Sequence, residues 1–194
     1  MSRFLSASLA TLCVAANVCQ GQSPRPAPTM VSLTKALAGT WTTTYDTFIP
    51  DGPTADGTAR GYVVWEAGPG GFTLLEKERV ATASGEQFLL LIVWWDDSTH
   101  RLRVMRCDNS GAEACDVTSH ANSTLSWDGK SLVLDFGFVD GGKQMRWHGV
   151  WSDITATSFK ETGDVGEAKG TLKRVLSGHA MRVTHTSRDS SPAH

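Results

Sequence analysis

From about residue 40 onward the chain shows no helical period. It settles into short runs in which apolar and polar residues alternate, broken by clusters of Gly, Asp, Asn and Ser. Period-two alternation rich in β-branched and aromatic residues predicts strands. They are expected at about Trp41–Ile49, Ala59–Glu66, Phe72–Val80, Gln87–Trp95, Arg101–Cys107, Val117–Ser126, Ser131–Phe138, Lys143–Ser152 and Ser158–Thr162, with a last pair at Thr171–Val175 and Ala180–Thr186. The breaks between them are short and hairpin-like: GPGG at Gly68–Gly71, ASGE at Ala83–Glu86, WDGK at Trp127–Lys130, VDGG at Val139–Gly142. Asp-Gly suits tight primed turns because both central residues reach positive φ at little cost. Ahead of the strands, SLTKALAG at Ser32–Gly39 has a capping serine, apolar Leu33, Ala36 and Leu37 and a terminal glycine, so it reads as one short helix.

Sequential strands joined by hairpins form an antiparallel meander, and closing the meander removes its two edges. The expected fold is therefore all-β: an antiparallel up-and-down β-barrel of about ten strands with one short N-terminal helix. The run FLLLIVWW within Gln87–Trp95 is apolar at every position, so it is expected to be covered on both faces, by the helix or by a second copy of the chain.

The N-terminus changes the picture of where the protein works. MSRFLSASLATLCVAANVCQGQS has one positive charge at Arg3, an apolar run and small residues at its end, the pattern of a secretory signal over residues 1–21. Neither Cys13 nor Cys19 follows the small residue that lipid attachment needs, so no stable membrane anchor is expected. A proline-rich linker over 22–31, a domain over 32–186 and a disordered tail over 187–194 complete the expected organisation. A domain of about 155 residues buries roughly 70% of its unfolded surface and stands without staples. The expected location is secreted or periplasmic. Cys107 and Cys115, in CDNSGAEAC, then read as a disulfide closing a hairpin loop.

The formal charge is −2, and removing the signal takes away Arg3 and no acid. With no basic patch, nucleic acid is not an expected partner. The chain lacks a G-x-S-x-G elbow, a P-loop, a dinucleotide fingerprint and H-E-x-x-H, so no catalytic residue and no metal site are assigned. GDVGEAKG at Gly163–Gly170 lacks the Lys-Ser/Thr ending of a phosphate loop and reads as a turn. The asparagine of the NST triplet, Asn122, matches a glycosylation acceptor, which has meaning only in a eukaryotic secretory host. His179 and His185 have no acid or cysteine at ligand spacing. Glu76 and Glu78 share one face of a strand whose other face carries Lys77 and Arg79, and this reads as a solvated charge ladder rather than an acid–base pair.

Aromatic residues are the strongest candidates for a site, and the chain has seven tryptophans. In KQMRWHGVWS, Met145, Trp147, Gly149 and Trp151 share one face and Gln144, Arg146, His148 and Val150 the other. If the first face points inward, two tryptophans bracket a notch at Gly149 open to a flat ligand or a neighbouring side chain. If the second does, Arg146 and His148 anchor the acidic head of an apolar ligand. Trp41 and Trp65 complete the candidate set.

LAGTW at Leu37–Trp41, the following hairpins, WWDDSTHRLRV and WDGKSLVL together resemble the calycin or lipocalin-like superfamily, most closely a bacterial lipocalin-like group of unknown function. The resemblance implies a barrel with Gly39 and Trp41 at the start of the first strand and the Trp41 ring packed across one barrel end. Haem-binding relatives of this architecture carry a glycine-rich continuation after G-x-W and a proximal histidine; here the continuation is TTTYDTF, and no cofactor is expected. The leading function is binding of a small hydrophobic or amphipathic molecule in the lumen. A luminal hydrolase or isomerase using His148 with Arg146, or Glu76 with Glu78, is the second reading, and a packed homo-oligomeric barrel joined through FLLLIVWW is the third.

Overall fold

The computed structural model describes residues 24–48, 55–82, 85–109, 115 and 123–184. The expected signal at 1–21, the tail at 187–194, Asn122 and His185 lie outside the described residues. So do residues 117–122 of the strand expected at Val117–Ser126.

Helix α1 spans Pro28–Leu37 and starts four residues before the expected serine, inside the stretch read as linker. Proline at a first helical position costs no hydrogen bond and presets φ. Met30, Leu33 and Leu37 fall on one side at i, i+3 and i+7 and are all fully buried. Lys35 in the last turn complements the negative end of the helix dipole.

Ten antiparallel strands follow among the described residues: β1 Gly39–Phe48, β2 Ala55–Ala67, β3 Thr73–Thr82, β4 Gly85–Asp96, β5 Arg101–Asp108, β6 Thr124–Trp127, β7 Leu132–Asp140, β8 Lys143–Ser152, β9 Ser158–Glu167 and β10 Lys173–Arg182. Each pairs with its neighbours in sequence and β1 pairs with β10, so the sheet is a closed up-and-down barrel, as the alternation predicts. Among the described residues the shortest seam is β5 to β6, where Leu102 pairs with Leu125.

Two boundaries depart from expectation. The last pair of strands is one continuous strand, β10, running through LSGH, and β9 extends to Glu167 through the segment expected to be a turn. Both contain a glycine that marks a ring rather than a break. A Cβ at Gly178 would run into Tyr45, its partner across the β1–β10 ladder, and a Cβ at Gly163 would run into the Trp147 ring.

Residues from the inner faces of all ten strands and the buried side of α1 make the main apolar core, and Tyr45, Ala59 and Val80, with Leu176, form a second small cluster. FLLLIVWW is covered less completely than expected. Leu91 and Val93 are buried inside, whereas Leu90, Ile92 and Trp94 are half-buried outside and Phe88 is exposed. Cys107 and Cys115 form a disulfide, with Cα atoms 4.3 Å apart, the state expected outside a reducing cytosol. Among the described residues no helix is long and apolar enough to cross a membrane.

Candidate functional site

The barrel is shut at the α1 end and hollow further along its axis. At the shut end Trp41 is fully buried, its indole N–H donates to the Leu37 carbonyl at 2.8 Å, and Phe159 meets it edge-on at 4.8 Å between centroids. Arg182 covers its other side and donates to the carbonyls of Ala36, Ala38 and Ala156. Trp65 lies in the same closed region, edge-on to Trp151 at 6.5 Å.

Beyond this layer lies a cavity of about 150 Å³. Its apolar wall is built by Leu89, Leu91, Leu134, Phe136, Trp147 and Trp151. Phe136 and Trp147 stack at 6.2 Å as cross-strand partners on β7 and β8. Trp147 lies over the cross-strand pair Gly149 and Gly163, where a Cβ on either would strike it, so its own ring fills the notch that the sequence left open. Trp147 and Trp151 thus share the inward face, and both border the cavity.

Arg146 and His148 do not. They project from the outer face of β8 onto Asp135, at 2.5 Å and 3.0 Å, so neither can anchor a luminal ligand. This corrects the expectation that they line the lumen, and it removes the acid–base arrangement built on them. The physical reason is packing: the alternate face of β8 carries the large apolar groups that the barrel has to bury.

The polar wall comes from residues the sequence did not single out, together with a pair it placed outside. Glu76 and Glu78 face inward, with Leu74 and Val80 on the same face of β3; Glu76 is 1% exposed, which overturns the charge-ladder reading. Tyr45 on β1 places its hydroxyl 2.8 Å from Glu78 Oε1 and 2.9 Å from Glu161 Oε2. A phenol carries one hydrogen, which the Tyr45 hydroxyl directs at these two carboxyl groups.

Burial, then the neighbouring charge of Glu78, pushes the Glu161 carboxyl up to about 8. The Tyr45 hydroxyl, then Trp151, favour its ionised form, although the indole N–H makes no well-aligned hydrogen bond. Burial also raises Glu76 far above the ordinary carboxylate range, with Glu78 and Glu161 adding to the effect, and raises Glu78 against the opposing influence of Tyr45 and Arg106. Arg106, on the inward face of β5, is ion-paired with Asp108 and sits over the Phe136 ring at 5.4 Å. Glu76 Oε2 and the indole nitrogens of Trp65 and Trp151 are buried without a hydrogen-bond partner.

Each missed residue carried a readable cue. Tyr45 shares the parity of Trp41, Glu161 that of Phe159, and Arg106 that of Leu102 and Val104. Among the described residues no three His, Cys, Asp or Glu side chains converge as a metal site.

No family model matches the chain, and no curated protein matches it in sequence. Solved structures of similar shape include Rv2717c from M. tuberculosis, at 14% identity and a TM-score of 0.48 over 82% of this chain and 99% of that one. Another is EF1p2_mFAP2b bound to DFHBI, at 14% and 0.43 over 79% and 99%. A third is the redesigned β-barrel mFAP1 bound to DFHBI, at 15% and 0.39 over 77% and 97%. Among the described residues this chain is a closed ten-stranded antiparallel barrel whose cavity is lined by aromatic and acidic side chains.

Proposed function

We propose that this chain is an exported binding protein that holds one small amphipathic molecule in its lumen. The observation that carries the reading is the cavity itself. It is lined by Phe136, Trp147 and Trp151 together with Tyr45, Glu78 and Glu161, a mostly apolar pocket with a few convergent polar groups. Its volume suits a body about the size of one aromatic ring. Export is supported by the signal-like N-terminus and by the disulfide. The lipocalin-like resemblance of LAGTW and the hairpins fits a carrier of this kind.

The test is mass spectrometry of an organic extract of the purified protein beside that of a Trp147→Ala, Trp151→Ala variant, paired with a thermal-shift screen of ring-sized compounds on both. A molecule recovered from the parent alone, or a shift seen in the parent alone, is the expected result. An empty extract together with no shift from any compound overturns the reading.

A further inference from the structure

The charges inside the cavity are unbalanced. Facing it are Tyr45 from β1, Glu78 from β3, Arg106 from β5 and Glu161 from β9, with Glu76 and Asp108 on the same inward faces of β3 and β5. The side chains that β2, β4, β7, β8 and β10 present to it are uncharged. The one cation among these groups is Arg106, and Asp108 already pairs with it. Among the described residues Arg106 is therefore the one cation near Glu76, Glu78 and Glu161, three acids to a cation already shared with Asp108, and Glu76 keeps one buried oxygen without a hydrogen-bond partner. The same cavity offers the rings of Phe136, Trp147 and Trp151, whose faces attract cations, more so when water is excluded.

We propose that the lumen is a site for a small organic cation, an amine or ammonium compound whose charged head sits at Glu78 and Glu161 and whose apolar body lies against Phe136, Trp147 and Trp151. The proposal rests on the luminal-binder reading and specifies the ligand's chemistry. A carboxylate ligand would add a further acid to the acids already there. A bare metal ion lacks converging ligands among the described residues.

The proton balance follows from Glu161. In the empty site the Tyr45 hydroxyl lies within hydrogen-bond reach of both Glu78 and Glu161, and Glu161, poised at about 8, holds its proton near neutral pH. When an ammonium arrives its N–H groups bond to the two carboxyl groups, Glu161 ionises and its proton leaves to solvent. One proton is released for each ligand bound. With Glu161 poised at about 8, affinity for the amine rises with pH from about 6 to about 8.

The experiment is titration calorimetry on the full chain with three matched probes, benzylamine, benzyl alcohol and benzoate. It is run near neutral pH in phosphate and in Tris, whose ionisation enthalpies differ. Benzylamine is expected to bind about tenfold more tightly than benzyl alcohol, as hydrogen bonds to charged groups allow. Its heat should differ between the buffers by about one released proton per ligand. Benzoate should bind worst. Glu161→Gln, and Glu78→Gln with Glu161→Gln, should keep the alcohol's affinity and lose both the amine's advantage and the proton release, with near-ultraviolet circular dichroism confirming the fold. If the alcohol or benzoate binds as well as the amine, or if the amine releases no proton, the cation inference is overturned and the luminal binder stands. If none of the three gives a binding heat, both fall.

Discussion

Arg182 sits over the face of Trp41 with its guanidinium carbon 4.0 Å from the ring centroid, while its nitrogens donate to the carbonyls of Ala36, Ala38 and Ala156. One side chain on the last strand therefore ties together the end of α1, the start of β1 and the loop before β9. Trp41 is a plug, held from below by Leu37 and from above by Arg182.

The first prediction concerns that plug. Lysine keeps the charge of Arg182 but cannot reach three carbonyls in a planar fork. Arg182→Lys should cost about 2 kcal/mol of unfolding free energy, from the lost stacking and carbonyl bonds. Urea unfolding with an unchanged slope checks it. A variant as stable as the parent would show that the helix is held by its apolar face alone.

Arg146 and His148 lead to a second prediction, one of no effect. They meet Asp135 on the outer wall, and such exposed pairs contribute about 0–1 kcal/mol. Arg146→Ala and His148→Ala should leave any luminal affinity unchanged, measured with whichever probe binds the parent. A tenfold loss would mean that this face of β8 reaches the ligand after all.

Alternation made the barrel legible, because every strand has to bury one face and expose the other. It did not say which face in β3, where Leu74 and Val80 oppose Leu75, Lys77, Arg79 and Ala81. Two glutamates beside two cations looked like surface, and the barrel resolves the tie by burying Leu74 and Val80 and carrying Glu76 and Glu78 in with them. In β8 both faces stayed open, because each carried candidate ligand groups, and nothing there said that Gly163, from a segment taken for a turn, makes room for the Trp147 ring. The Tyr45, Glu78 and Glu161 cluster draws on β1, β3 and β9. Only closure of β1 onto β10 brings those strands around one space, and no local pattern encodes it.

The third prediction is an inverted pH profile. Glu161 is raised to about 8 in the folded protein, and Glu76 and Glu78 are raised by burial, so between the ordinary glutamate range and about 8 the folded state binds more protons than the unfolded one. Their contribution is complete in mild acid and is lost as pH rises through that window. Asp96, held at about 2 by the Ser98 and Thr99 hydroxyls, acts in the opposite sense, losing its contribution only in stronger acid. Melting temperature should therefore be several degrees higher near pH 5 than near pH 8.5. Glu76→Gln and Glu161→Gln should flatten the slope by removing the titrating groups. A profile that rises with pH over this range would show that the carboxyls are ionised in the fold.

The fourth prediction uses Gly163 to close the cavity without touching its polar wall. Gly163 faces Gly149 across the β8–β9 ladder, and the Trp147 ring occupies the space both glycines leave. Gly163→Ala puts a methyl group where that ring lies, and the ring's way out is toward the lumen. Its backbone is not in the left-handed region, so the substitution adds no strain of its own there. Stability should fall by about 1–3 kcal/mol from overpacking. The displaced indole should change the tryptophan emission and abolish binding of any ring-sized probe. Gly163→Ala combined with Trp147→Leu relieves the clash and should recover most of the stability. If Gly163→Ala binds a probe as the parent does, Trp147 has room to move outward and is not what sets the size of the cavity.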